Sequence, residues 1–246
     1  MSKFFVKTEQ INNNDIVIIG DDVNHIINVL RMKKTDKVQI CNQDTGDNYN
    51  AEIVNYSKNE VECKIISKIN ETTESNVHIT LFQGIPKFEK MELIIQKSVE
   101  LGANSIIPVN MKRCVVKLEG KDEIKKNERW QKIAESAAKQ CGRGFIPEVK
   151  HLINVKEICN WINEYDVIIV TYENVKENTL KAELKKLKAT DLKIGVVIGP
   201  EGGFEESDIK LLKESGAKIV TLGDRILRTE TVALNVLSII MYEFEQ

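Results

Sequence analysis

Over residues 1–70 the apolar positions come in short runs, at 16–19, 38–41, 51–54 and 61–66, parted by Asn-, Asp- and Gly-bearing turns such as Gln43-Asp-Thr-Gly-Asp-Asn48. Runs of this length with this punctuation predict strands. One stretch keeps a different rhythm: Val23, Ile26, Ile27 and Leu30 recur at helical spacing and predict a helix over 22–30. This part of the chain therefore reads as a small β-barrel with a single helix. The polar, unpatterned stretch 69–76 closes it and divides the chain into domains of 1–72 and 73–246.

Beyond that boundary strands and helices alternate. An apolar run at 77–83 predicts a strand, and Phe88, Met91, Ile95 and Val99 form one stripe of a helix over 88–101. A strand at 105–109, a long helix over 122–141, a helix at 155–163, a strand at 167–171 and a Lys- and Glu-rich helix at 177–188 follow. Strands are expected again at 194–198 and 217–222. The first of these is β-branched and stopped by Gly199-Pro200, the look of a strand buried on both faces. Residues 231–242 are apolar on nearly every face, interrupted by Asn235 and Ser238, so this helix belongs in the core or gives one face to a partner subunit. Such alternation predicts an α/β fold with a parallel sheet and a ligand at the carboxyl ends of its strands.

Two of those strand ends are marked by glycine: Ile-Gly-Pro-Glu-Gly-Gly-Phe at 198–204 and Leu-Gly-Asp-Arg-Ile-Leu-Arg-Thr-Glu-Thr at 222–231. Gly202 and Gly203 permit positive φ and close approach of a ligand to the backbone. Glu205, Glu206, Ser207 and Asp208 suit the first turn of the next helix. A strand, a glycine turn and a helix together often cradle phosphate. The charges here oppose that reading, because Glu201 lies inside the turn, no Lys accompanies it, and neither G-x-G-x-x-G nor G-K-[ST] occurs. An acidic turn suits a ligand with positive charge. A plain structural β–α turn is the alternative, weakened by the second glycine-ended segment so close in sequence.

Composition changes this picture little. The 246 residues are ample for a core, and 42% hydrophobic with 29% charged residues is ordinary for a globular protein. A formal net charge of −2 gives no general pull toward nucleic acid, so any RNA contact must rest on a local basic patch. Cys41, Cys63, Cys114, Cys141 and Cys159 are odd in number and hold no C-x-x-C pair, which predicts neither a disulfide framework nor a metal site. The N-terminus lacks a long apolar core, and no run approaches the roughly 18 apolar residues needed to span a bilayer. The expectation is a cytoplasmic protein with no membrane partner.

The paired segments 198–204 and 222–231 resemble the signature of the SPOUT methyltransferases, and among them the family that methylates N3 of a uridine in small-subunit (16S) ribosomal RNA. The resemblance runs nearly the full chain. It implies a C-terminal α/β trefoil-knot domain, a topology that general threading rules would reject, and an N-terminal PUA-like RNA-binding domain. It further implies S-adenosylmethionine as cofactor, a homodimer, and small-subunit rRNA in an assembled ribosomal subunit as partner. By the same resemblance the cofactor is held around Thr171, Gly199, Pro200, Glu201, Gly202, Leu222, Gly223, Ile226, Leu227, Arg228, Thr231 and Ala233; Glu173, at the end of a buried strand beside that pocket, meets the donor's ribose hydroxyls or ammonium or is an ordinary loop carboxylate. Val232 departs from the smaller residue usual after Glu-Thr.

Candidate RNA contacts are basic residues that also have plainer readings. His25, Arg31 and Lys33 gather at the end of the first helix, where they suit phosphate or simply complement the helix dipole. His25 with Val29-Leu30-Arg31 matches the family's N-terminal pattern, although Thr35 stands where relatives usually have glycine. Lys87 belongs to a contact or to a solvated helix face. Arg113, and Gln140 and Arg143 around Gly142, touch RNA or cap helix ends. For the chemistry, uracil N3 carries a weakly acidic proton, so a base near N3 and a cation near its flanking carbonyls would both help. Arg228 fits the cation, with an ion pair to Glu230 as the competing role; Glu201 and Glu230 are the candidate bases, or merely shape the loop. Two other readings stand beside this one: a SPOUT enzyme for a different RNA site, and a non-catalytic RNA-binding assembly factor, against which the intact glycines at 199, 202, 203 and 223 speak.

Overall fold

A computed structural model describes residues 2–70, 73–87, 89–188 and 190–245. It forms two compact units, one of the residues up to Glu74 together with Ala138–Ile146, the other of Ser75–Ala137 together with the chain from Pro147 on.

In the first unit, β1 (Lys3–Val6), β2 (Ile11–Asn12), β3 (Asp15–Ile19), β4 (Lys37–Asn42), β5 (Asn48–Tyr56) and β6 (Glu60–Ile69) make one sheet in the order β1-β4-β5-β6-β3-β2. β1 runs parallel to β4 and the other pairings are antiparallel. Alternate residues turn inward, so that Phe4, Ile16, Ile18, Val38, Ile40 and Ile53 pack as one core with Val23 and Ile26 of the helical stretch. Register shifts at Asn50/Ala51 and Ile53/Asn55 bend β5 and β6 around that core. The predicted helix is α1 (Asp21–Asn24), continued by a π-helical turn at His25–Val29. Thr35 has φ 75°, backbone that favours glycine, so its β-branched side chain is carried at a cost of about 1–3 kcal/mol.

Residues 138–146 fold with this first unit. Arg143 is 5% exposed; its Nε donates to both oxygens of Glu74 at 2.9 and 2.8 Å, and its guanidinium lies 4.7 Å from the centre of the Phe145 ring. The Cys41 thiol donates to the Gly144 carbonyl at 2.6 Å and the Lys3 ammonium to that of Gly142 at 3.1 Å.

The second unit contains β7 (His78–Gly84), α2 (Lys90–Glu100), β8 (Ser105–Asn110), α3 (Gly120–Cys141), β9 (Glu148–Val149), β10 (Ile153–Asn154), α4 (Val155–Asn160), β11 (Val167–Thr171), α5 (Leu180–Leu184), β12 (Lys193–Ile198), α6 (Glu206–Glu214), β13 (Lys218–Val220) and α7 (Thr229–Phe244), with the end of α3 falling in the first unit. Its strands are all parallel, ordered β10-β8-β7-β12-β11-β13 with β9 beside β8. β7, β11 and β12 are buried almost throughout, as their unbroken apolar runs predict. Phe88 of the expected α2 stripe lies outside the described residues, while Met91, Ile95 and Val99 are buried.

The helix expected over 177–188 shortens to α5. Thr179 Oγ1 accepts from Ala182 N–H and caps it there, while the Asn178 amide donates to the Ile219 carbonyl, tying the preceding residues to β13. α7 packs on α2 and buries Ala233, Val236, Leu237, Ile240 and Met241. Thr231, Asn235, Ser238 and Tyr242 form its exposed stripe. One buried relay joins three strand and helix ends: Gln83 Nε2 donates to Thr229 Oγ1 at 2.9 Å, and that hydroxyl donates to the Gly199 carbonyl at 2.7 Å.

Candidate active site

The three strands β11, β12 and β13 end together, and the segments that leave them enclose a cavity of about 410 Å³. After Ile198 the chain turns at once, with Gly203 N–H closing on the Pro200 carbonyl at 2.9 Å and Gly203 at φ 68°. Gly202 passes so close to the next loop that an added Cβ would stand 3.0 Å from the Arg113 carbonyl oxygen. Phe204 meets the ring of Tyr172 edge-on at 6.2 Å. Opposite, Gly223 takes φ 108°, with its N–H on Thr221 Oγ1 at 3.2 Å.

Thr171 at the end of β11 and Glu173 just beyond it line the cavity with Gly199, Pro200, Glu201 and Gly202 from the loop after β12, and Leu222, Gly223, Ile226, Leu227 and Arg228 from the segment before α7. Thr231 and Ala233 lie off it, the first on the exposed face of α7, the second sealed in the core at 0% exposure. Val232 reaches the cavity.

The charges are arranged differently from the sequence expectation. Glu230 pairs with Lys90, Oε2 to Nζ at 3.4 Å, and the same ammonium holds Glu201 Oε1 at 3.0 Å. The Lys87 N–H donates to both Glu201 oxygens, at 3.0 and 3.1 Å. Burial pushes the Glu201 carboxyl up, but hydrogen bonds from its own backbone, from Lys90 and from the Lys87 N–H outweigh it and hold the group below the usual carboxylate range. Neither candidate base is therefore free: each carboxylate is engaged by Lys90. The competing ion pair between Arg228 and Glu230 does not form; the exposed Arg228 guanidinium has no side-chain partner among the described residues. Lys90 itself, a lining residue, reads in the sequence as one of the charged residues opening a helix with a solvated face.

Of the RNA candidates, Arg113 is spent on the site's own scaffold. Its Nε donates to Glu205 at 2.9 Å and an NH to the Gly202 carbonyl at 3.3 Å. Lys87 touches Glu201 through its backbone. In the first unit His25, Arg31, Lys33 and Gln140 are exposed, the His25 ring edge-on to Phe4 at 6.4 Å, whereas Arg143 is buried against Glu74. Buried and bonded in this way, Arg143 supports its loop and presents no free guanidinium face. No helix among the described residues is long and apolar enough to cross a membrane.

Residues 73–241 match the family described as RNA methyltransferase domain, and residues 18–66 match the RNA methyltransferase PUA domain. The chain is 39% identical to the ribosomal RNA small subunit methyltransferase E of Bacillus subtilis, over 93% of this chain and 90% of that one. It superposes on the methyltransferase E crystal structure from Neisseria gonorrhoeae, solved bound to S-adenosyl methionine, with a TM-score of 0.87 at 30% identity, covering 98% and 97% of the two chains. A methyltransferase from Legionella pneumophila, described as putative and in complex with the same cofactor, gives 0.84 at 29% identity over 98% and 96%. With an all-parallel sheet in its second unit, a PUA-like first unit and these matches over nearly its whole length, the chain belongs to the ribosomal RNA small subunit methyltransferase E family.

Proposed function

We propose that the protein transfers a methyl group from S-adenosylmethionine to N3 of a specific uridine in small-subunit (16S) ribosomal RNA. The observation that carries this is the convergence of two glycine-ended segments, 199–204 and 222–228, on one cavity at the strand ends. The residues present fit the donor. The cavity falls within the roughly 300–1,000 Å³ of small-molecule sites, the backbone is open at the glycines, and an ionised Glu201 suits a cationic ligand.

The donor supplies a carbon already activated by its own sulfonium. The chain's part is to orient the uridine and draw charge from it. Arg228, without a side-chain partner among the described residues at the cavity wall, offers paired hydrogen bonds to a uracil carbonyl and stabilises the negative charge that collects there as N3 loses its proton. Glu201 and Glu230 are not the base in this scheme, since Lys90 holds both and a carboxylate with a lowered pKa is a weaker base. The proton leaves to solvent. Glu173, with no hydrogen-bond partner among the described residues, meets the donor's ammonium or ribose hydroxyls.

His25, Arg31, Lys33, Lys87 and Gln140 contact RNA in this scheme, with Arg113 and Arg143 as struts behind the loops that carry them or the donor. Tyr242, 86% exposed at the end of the exposed α7 stripe, supports a homodimer built on that stripe. The substrate is the assembled subunit, in the cytoplasm. Calorimetric titration with S-adenosylmethionine, with ATP and NAD as controls, tests the pocket. Reverse transcription of treated small subunits then maps the product, because an N3 methyl blocks base pairing. Saturable donor binding with a stop at one uridine is expected; donor binding with no modified nucleotide in either free rRNA or subunits would sink the proposal.

A further inference from the structure

The donor cavity has a fastening that this scheme does not use. Lys90 opens α2, Glu201 lies in the loop after β12 and Glu230 in the first turn of α7, yet all three meet on one ammonium at the cavity wall. The carboxylate side chains are 26% and 17% exposed, and the buried Glu230 Oε2 has no hydrogen-bond partner among the described residues, so its 3.4 Å ion-pair contact with Lys90 is what compensates its charge. Two carboxylates brought to one place repel unless a cation stands between them or they share a proton.

We infer that Lys90 is a positioning residue, whose ammonium locks the 199–203 loop to the start of α7 and so keeps the two glycine-ended walls at the separation that admits the donor. The role rests on the methyltransferase reading above. The lock works at the rim, while the relay from Gln83 through Thr229 to Gly199 fixes the same two segments in the core. The surroundings leave the lysine as the cation that matters. Lys87 meets Glu201 through its backbone N–H, and the Cys114 thiol that faces Glu201 from the loop after β8 is pushed up by burial and stays neutral.

The consequence is a pH signature. In Lys90→Met the two carboxylates are left without the cation between them, so a proton taken up by the pair relieves their repulsion in the folded state. A group raised in the folded state contributes stability below the unfolded pKa and loses it as pH rises through the folded one. The ligand-free variant should therefore melt well below wild type at about pH 8 and regain part of the difference toward about pH 5, near the ordinary carboxylate range. Affinity for S-adenosylhomocysteine, chosen because it lacks the sulfonium that would itself attract the carboxylates, should fall about tenfold at the higher pH and recover with acid. Lys90→Arg should keep both properties, and adding Glu230→Gln to Lys90→Met should abolish the pH dependence. A Lys90→Met protein that binds as wild type does, or that loses affinity and stability equally at both pH values, overturns the role of Lys90 alone. Wild type that binds neither S-adenosylmethionine nor its demethylated product overturns the methyltransferase reading and this role with it.

Discussion

Gly84→Ala tests how tightly the end of β7 is threaded against the loop after β12. A Cβ at Gly84 would stand 2.7 Å from both Pro200 N and Pro200 Cδ and 2.9 Å from Met111 Sδ. Carbon contacts are comfortable at about 3.5–4.0 Å, so the overlap approaches 1 Å on three atoms. The sulfur can swing aside; the proline cannot, because its ring is part of the backbone and its carbonyl is held by Gly203 N–H. Gly84 is equally fixed by its pairing with Val109. Relief requires moving the 199–203 loop away from the sheet, so the cost belongs at the upper end of overpacking, about 3 kcal/mol. At about 2–4 °C per kcal/mol for a chain of this size, the melting temperature should fall by about 6–12 °C. Affinity for S-adenosylmethionine should drop with it, since the displaced loop is a cavity wall. Scanning calorimetry and titration read the two effects, and a cycle with Met111→Ala apportions them: a clash with Pro200 predicts little coupling. A fall of less than about 2 °C with unchanged affinity would mean that the loop yields freely and that the reasoning is wrong.

Arg228→Ala should bind S-adenosylmethionine within a few-fold of wild type yet lose methyl transfer by about 10²–10³, as for a donor removed from a developing anion, measured by methyl incorporation into small subunits. Glu201 contributes acid-side stability: its folded pKa lies below the unfolded value, so the contribution is present above the ordinary carboxylate pKa and fades as pH falls through the folded one. Urea melts at neutral and acid pH should therefore show a shallower acid loss in Glu201→Gln, and an unchanged slope would count against the bonding described. Arg143→Met should destabilise the protein by about 3 kcal/mol, because it removes the guanidinium from the partly buried Glu74 carboxylate, whereas Lys33→Ala should leave the urea midpoint in place and weaken RNA binding in a salt-dependent manner.

Much of the sheet was legible because a strand covered on both faces has to be apolar throughout, and the runs at 167–171 and 194–198 have that character in any context. β1 was missed since Phe4 and Val6 show their alternation over only four residues, too few to separate from chance; its pairing with β4 supplies the rest. The helix expected over 177–188 failed because charge and propensity there compete with a tertiary bond, Asn178 to Ile219, that no local pattern announces. At the site, the glycines marked where the backbone must approach a ligand, and most residues taken from the resemblance reach the cavity. The ionic partners were beyond reach. Glu201, Glu230 and Lys90 come from three segments, and Arg143 finds Glu74 69 residues away, so choosing among many carboxylates requires the fold itself.

The relay from Gln83 to Thr229 spans 146 residues, and the hydroxyl at its centre also closes the end of β12. Contacts of such separation form late, after the loop entropy between them has been surrendered, and all-parallel sheets are slow for the same reason. The cavity shares its walls with this last join, so no partly folded chain offers a donor site worth binding. Uptake of donor during refolding then clocks the closing of this long-range relay rather than secondary-structure growth. Donor added early can stabilise only molecules in which this relay has formed.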